Sequence, residues 1–314
     1  MDNRVSKILK IKYPIIQASM NWLTDAKLVA AVSNAGGLGV LGPNAGRNSL
    51  AEDSATVVKN KINRAQKLTK KPFAYNLTLN GADSEQSYAH KLLEIALDAG
   101  VKIFIVSGSP HADLYQKIKA NGAILIARSF EPTAQEAQLQ EKLGADIIIA
   151  TGYDEGGVIP TTGNGTFTTI PRIVDAVSIP VVAAGGINDL RGIRAAHALG
   201  AAGFYLGTRF IVTKESRAAA SCKQLIIDAG VGYMVLVAPN QRSVRNAKMD
   251  ELATEFQNGS KTTFAKTREM GGTKTAMLDG RLKDGEISVS TGIDLIRDCP
   301  SVADLINRLM VDYN

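Results

Sequence analysis

Eight short apolar runs alternate with helix-like segments along the first two thirds of the chain, and no other feature constrains the fold as tightly. The runs are Pro14–Gln17, Gly39–Leu41, Phe73–Asn76, Ile103–Val106, Ile124–Ala127, Ile147–Ala150, Val181–Ala184 and Phe204–Leu206. Several intervening helices close on Ala-Gly or Leu-Gly just before the next run (Ala35-Gly36, Ala99-Gly100, Leu143-Gly144, Leu199-Gly200), the glycine stop of a helix C-terminus. Strict β/α alternation predicts a parallel sheet. Eight units in a chain of 314 residues match a TIM (β/α)₈ barrel, which takes about 250 residues, plus an addition. An open, doubly wound sheet is the competing topology.

The ends of runs seven and eight count against the open sheet. Val181–Ala184 opens into Gly185-Gly186, and Phe204–Leu206 into Gly207-Thr208. Glycine admits an anion close to the backbone, because no Cβ stands in the way. Two such turns on the last two strands describe the phosphate pocket of a barrel. The function is therefore expected to involve a phosphorylated cofactor or substrate.

After Thr208 the pattern changes. Residues 214–230 look helical, residues 231–285 show no clean period, and a Gly/Ser/Thr turn and a closing helix return at 286–314. We read a barrel over 1–214, an inserted lid-like segment over 215–285 that covers the barrel mouth, and a C-terminal return over 286–314; a structural or oligomer-forming appendage is the alternative for 215–285. No run of about 18 apolar residues predicts a membrane span. Two cysteines make no disulfide framework, and the charged N-terminus lacks a signal-peptide core, so a reducing cytoplasm is expected. Aromatic content of 5% without a basic stripe argues against nucleic acid. The net charge of +6 suits a polyanionic ligand such as NADPH or an acidic carrier protein, or only a solvated basic surface.

Polar residues at strand ends are the chemical candidates. Gln17 to Met20 stand at the first strand end, where backbone groups can grip the edge of a flat heterocycle. Asn76 ends strand three, with both a donor and an acceptor. The long loop after strand six carries Tyr153, Asp154 and Glu155; the two carboxylates are sequence neighbours, and such neighbours usually point apart. His90 and His197 lie within helices, so His111, after strand four, is the one histidine with a claim on the site. Histidine and cysteine are too few and wrongly spaced for a metal. No Ser-His-Asp pattern is visible, and Gly36-Gly37-x-Gly39 precedes a strand, the wrong context for a dinucleotide fingerprint.

The segments YPIIQASM, SNAGGLGVLG, FAYN, ATGYDEGG, AAGGIND and LGTRF, in that order and spacing, resemble the flavin-dependent nitronate monooxygenase family, formerly called 2-nitropropane dioxygenases. That family includes the FMN-dependent enoyl-ACP reductase II and some NADH:quinone reductases. The resemblance runs from about residue 4 to about residue 216 and returns weakly at 286–296. It implies FMN in a TIM barrel. By position, Ala18, Ser19 and Met20 would contact the isoalloxazine, with Asn76 and Thr151 also at the flavin and Gly156 in the loop over it. Gly185, Gly186, Gly207 and Thr208 would hold the phosphate, next to Tyr205 and Leu206. The family loop reads GGHxG, and its histidine is the expected catalytic or substrate-orienting group. Here Val158 stands at that position, and His111, just past the end of strand four, is the candidate for a substitute polar group. The family has Gln or Glu where this chain has Thr151, and Gly-Gln where it has Gly292-Ile293.

The expected function is an FMN-dependent oxidoreductase whose flavin is reduced by NAD(P)H or a nitronate. The alternatives are an enoyl-thioester reductase, a flavin-binding protein without efficient turnover, and a barrel isomerase or aldolase. None of the eight strand ends shows a lysine, which counts against the last. The partners considered are a small-molecule substrate, an acyl carrier protein and a second copy of the chain.

Overall fold

Period two in the strands sets which side chains enter the barrel and which meet the helices. The computed structural model describes residues 4–42, 45–49, 54–79, 83–230 and 232–313. The outer limits of the three-part division, Met1 and Asn314, lie outside the described residues. In chain order the elements are α1 (Arg4–Leu9), β1 (Ile15–Gln17), α2 (Ala26–Asn34), β2 (Gly39–Leu41), α3 (Ser54–Leu68), β3 (Phe73–Leu79), α4 (Asp83–Asp98), β4 (Ile103–Gly108), α5 (Ala112–Ala120) and β5 (Ile124–Arg128). Then follow α6 (Ala134–Lys142), β6 (Ile147–Thr151), α7 (Thr166–Ala176), β7 (Val181–Ala184), α8 (Leu190–Ala198), β8 (Gly203–Leu206) and α9 (Thr208–Ile211).

The strands β1 to β8 form one parallel sheet in the order β1-β8-β7-β6-β5-β4-β3-β2. A parallel bridge between Ile16 and Leu38 joins its two edges and closes the barrel. Gln17 reinforces this seam, its buried Oε1 accepting from Val40 N at 3.1 Å. Ile16, Val40, Ala74, Ile105, Ile126, Ile149 and Val182 fill the interior. Val5 and Leu9 of α1 join the same cluster, so that short helix plugs the barrel floor. Burying each of the Val, Ile and Leu side chains among them is worth roughly 1.5–3 kcal/mol. The opposite faces of the strands (Ile15, Tyr75, Leu77, Phe104, Leu125, Ile148, Phe204) pack under the ring of helices.

All eight apolar runs are strands, but β3 to β6 extend further toward the mouth than apolar character alone shows. Ser107 pairs with Arg128, Arg128 with Ile149, and Thr151 with Ala184. The parallel ladder supplies backbone partners whatever the side chain, so polar residues continue the strands.

Beyond the barrel come α10 (Ala220–Asp228), an antiparallel hairpin of β9 (Met234–Ala238) and β10 (Gln241–Val244), α11 (Ala247–Gln257) and α12 (Thr263–Glu269). The hairpin meets the β6 loop, where Val158 bridges Gln241 and Ile159 N donates to Asn240 O at 3.0 Å. The chain returns through 286–292 to α13 (Val302–Leu309), whose Val302, Leu305, Ile306 and Leu309 join the outer core. No described helix is long and apolar enough to cross a membrane.

Candidate active site

Toward the C-terminal ends of the strands the inward ladder turns polar. Asn76 on β3, Ser107 on β4, Arg128 on β5 and Tyr205 on β8 open onto a cavity of about 730 Å³. Ser107 Oγ donates to Asn76 Oδ1 at 2.8 Å, and Asn76 Nδ2 donates to Thr78 Oγ1 at 3.1 Å, so the Asn76 amide is held in one orientation. Ser19 N donates to the Tyr205 hydroxyl at 3.3 Å, tying the β1 loop to β8. Ala18, Ser19, Met20, Asn76, Gly156, Gly185, Gly186, Tyr205, Leu206, Gly207 and Thr208 all line this one cavity, as does Val158.

The glycines have different reasons to be there. Gly186 has φ +69, a backbone that a side chain strains, and a Cβ would stand 3.1 Å from Asp154 Cβ. A Cβ on Gly156 would meet Val289 backbone at 2.5 Å, because the β6 loop crosses the C-terminal return there. Gly207 needs neither excuse. Its φ is −106, and a Cβ would find only Ala18 Cβ at 3.6 Å and Met20 Sδ at 4.0 Å. The protein has room for a side chain at 207, and that side chain would enter the cavity. A glycine there fits a ligand that comes close to the backbone.

The return segment completes this side of the cavity. Ser290 N donates to Thr208 Oγ1 at 2.8 Å, and Asn188 Nδ2 donates to Gly292 O at 2.8 Å and to Ser290 Oγ at 3.3 Å. Gly157 N donates to Ser288 Oγ at 2.7 Å. Asn188, Ser288 and Ser290 line the cavity but were not singled out in the sequence, since their partners lie about a hundred residues away.

The carboxylates after β6 do point apart. Asp154 Oδ2 accepts from Thr166 N at 2.7 Å, whereas Glu155 Oε2 accepts from Arg128 Nη2 at 2.5 Å. Glu155 and Arg128 are both buried and both line the cavity. Burial pushes the Glu155 carboxyl up to about 7, against the pull of Arg128 and then Arg242. Burial pulls the Arg128 guanidinium down, but Glu155 and Tyr205 outweigh it and the net direction is up, so Arg128 stays cationic. Arg128 lies one residue beyond the apolar run Ile124–Ala127, so apolar character alone does not place it on the strand. The period Ile124–Ile126–Arg128 was the signal that points it inward.

Of the candidates named from the sequence, Gln17, Tyr153 and Asp154 do not line the cavity, and neither do Thr151 and His111. Thr151 is buried at the end of β6, and its hydroxyl finds no partner among the described residues. His111 is the N-cap of α5, where Nδ1 accepts from Leu114 N at 3.3 Å and the ring packs edge-on to His90 with centroids 5.5 Å apart. Capping directs that ring to its own helix. His111→Ala is therefore expected to leave turnover unchanged and to lower stability by on the order of 1 kcal/mol, read by steady-state rates and denaturant unfolding.

A sequence model of nitronate monooxygenase matches residues 2–312. The chain belongs to the nitronate monooxygenase family. A probable nitronate monooxygenase from Staphylococcus haemolyticus is 35% identical, with 72% of each chain covered. The (3aS,4S,5R,7aS)-5-hydroxy-7a-methyl-1-oxo-octahydro-1H-indene-4-carboxyl-CoA dehydrogenase of Rhodococcus jostii is 34% identical over 72% of this chain, and the match spans 60% of that relative's length. FabK from Thermotoga maritima superposes with a TM-score of 0.88 at 28% identity, covering 100% of this chain and 96% of that one. A nitroalkane oxidase from Streptomyces ansochromogenes, at 24% identity and a TM-score of 0.81, shares the fold over 99% of this chain and 97% of its own. As a member of the nitronate monooxygenase family the chain is a flavin-dependent oxidoreductase.

Proposed function

We propose that the flavin is FMN, held at the barrel mouth, and that NAD(P)H or a nitronate reduces it. The observation that carries this reading is Gly207, a glycine required neither by its backbone nor by its protein neighbours, at the edge of the cavity. Gly185, Gly186, Gly207 and Thr208 would hold the phosphate, with Ser290 fixing the Thr208 hydroxyl. Ala18 to Met20, Asn76 and Gly156 would meet the ring system, and Tyr205 and Leu206 would carry the turn that places Gly207. FMN when bound supplies the two-electron redox chemistry, and the protein supplies position and nearby charge. Residues 215–285 act as a lid, since Asn240, Phe264, Arg268 and Met277 from that segment line the same cavity.

One compact phosphate pocket, without a dinucleotide fingerprint in its proper context, favours FMN over FAD. Cofactor released by heat is expected to run as FMN on chromatography. A colourless protein that takes up no added FMN sinks the reading.

The second reading is a reductase of enoyl thioesters, with an acidic acyl carrier protein or coenzyme A as carrier. It is favoured by the Rhodococcus relative, whose name makes it a carboxyl-CoA dehydrogenase. Anaerobic mixing of the reduced protein with an enoyl thioester separates the two, because the second reading requires rapid flavin reoxidation.

A further inference from the structure

Arg128 and Glu155 form an ion pair that is poorly settled for two full charges. A buried pair offsets its desolvation only when the geometry is good and the remaining protons and lone pairs are satisfied. Here the contact is a single N–H on one oxygen, Nη2 to Oε2 at 2.5 Å. Glu155 Oε1 and Arg128 Nε are buried without a hydrogen-bond partner among the described residues. The charged and titratable groups facing Glu155 come from three strands: Arg128 on β5, Tyr205 on β8 and Arg242 on β10, the last also facing Tyr153 and Asp154 of the Glu155 loop. Arg242 is otherwise engaged. Its Nη2 donates to the Tyr153 and Glu155 carbonyls, the latter at 3.1 Å, and its guanidinium lies 4.7 Å from the Tyr153 ring centroid. Asp154 is turned onto Thr166 N. One proton on Glu155 therefore decides whether Arg128 is half of a neutral pair or an uncompensated cation at the cavity wall.

We propose that Glu155 takes up one proton when the flavin in this cavity is reduced, freeing Arg128 to face the new negative charge. The proposal rests on the flavin reading above. Hydride from NAD(P)H brings two electrons and one proton, NAD(P)H leaves as NAD(P)⁺, and the flavin gains one negative charge. A solvent proton binds the unpartnered Glu155 Oε1, turning carboxylate into carboxyl, and the Arg128 charge then balances the flavin. Transfer of the hydride, two electrons and one proton, to an acceptor restores the oxidised flavin, and Glu155 then returns its proton to solvent. The direction follows from electrostatics, since new negative charge in a buried cavity disfavours a second anion and raises the carboxyl's pKa. Burial already places that pKa at about 7. Uptake is therefore expected above this pH, where the oxidised protein carries a carboxylate. Below it Glu155 holds its proton in both states.

The test is the midpoint potential of the bound flavin against pH, read by absorbance in the holoprotein with mediator dyes, from about pH 6 to about pH 9. It needs no physiological donor. Above about pH 7 the native protein is expected to follow two protons per two electrons, and Glu155→Gln one. Identical slopes in the two proteins overturn the proposal. If Glu155→Gln does not retain flavin, the native protein alone gives the answer, through proton uptake on anaerobic reduction by NAD(P)H in unbuffered solution with an indicator dye. Uptake of about one solvent proton per flavin at about pH 8, where hydride alone leaves the reduced flavin anionic, supports it. No uptake at that pH overturns it. A protein that binds no flavin defeats the earlier reading, and this one with it. A flavoprotein whose slope ignores Glu155 defeats this one alone.

Discussion

Gly207→Val is expected to give a folded protein that holds no flavin. The backbone at 207 has φ −106, so valine adopts it without strain, and the nearest protein atoms to its Cβ are Ala18 Cβ at 3.6 Å and Met20 Sδ at 4.0 Å, the latter on a flexible side chain. The branched side chain would occupy the space where a phosphate approaches the backbone. Each hydrogen bond to a charged group is worth about 1.5–3 kcal/mol, so losing two weakens FMN binding by a factor on the order of 10² to 10⁴. Gly207→Ala, with one carbon, is expected to fall between. The same change at Gly186 is less informative. Its φ of +69 costs a non-glycine residue roughly 1–2 kcal/mol, and a Cβ would press on Asp154, which holds the loop through Thr166. Loss of flavin there would mix strain with a blocked pocket. The measurement is flavin absorbance per protein, together with the thermal unfolding midpoint. Normal flavin content in Gly207→Val would move the phosphate site elsewhere.

Val158→His is expected to raise turnover on a nitronate by up to about 10²-fold, and to change flavin reduction by NAD(P)H comparatively little. General acid–base help from a positioned side chain is typically worth about 10²–10⁴ in rate, and valine offers none. Hydride transfer depends on alignment more than on a side-chain proton. The structure makes the substitution a fair one. Val158 lines the cavity, and its backbone is pinned by the bridge to Gln241 and by the Ile159–Asn240 hydrogen bond. A histidine there starts from a fixed position at the cavity wall. The pair of anaerobic flavin-bleaching rates, one with propionate-3-nitronate and one with NAD(P)H, is compared on native and variant proteins. A native protein bleached rapidly by the nitronate and not by NAD(P)H would show that position 158 does not limit this chemistry.

What the sequence settled by itself is the part of the fold that depends on local pattern. Eight short apolar runs alternating with helix-like segments, glycine stops after the helices and two glycine turns on the last strands were enough for the barrel and for the location of its cavity. Burial and turn geometry are written in neighbouring residues, and most of the expected site residues meet at one mouth because strand ends of a parallel barrel must. Partnership is not written locally. Glu155 read as one of two adjacent carboxylates, and only the closed barrel brings Arg128 of the neighbouring strand to it at 2.5 Å. Thr208 read as a phosphate-turn hydroxyl, and only the returning chain places Ser290 N on it. His111 read as a mouth residue, yet its ring had a nearer partner in Leu114 N of its own helix. The hairpin β9–β10 had no period clear enough to announce it, and its place over Val158 rests on hydrogen bonds between segments some eighty residues apart. A side chain's surroundings depend on which strands and loops the barrel makes adjacent, so tertiary structure decided which of these polar residues share a charge, a proton or a hydrogen bond.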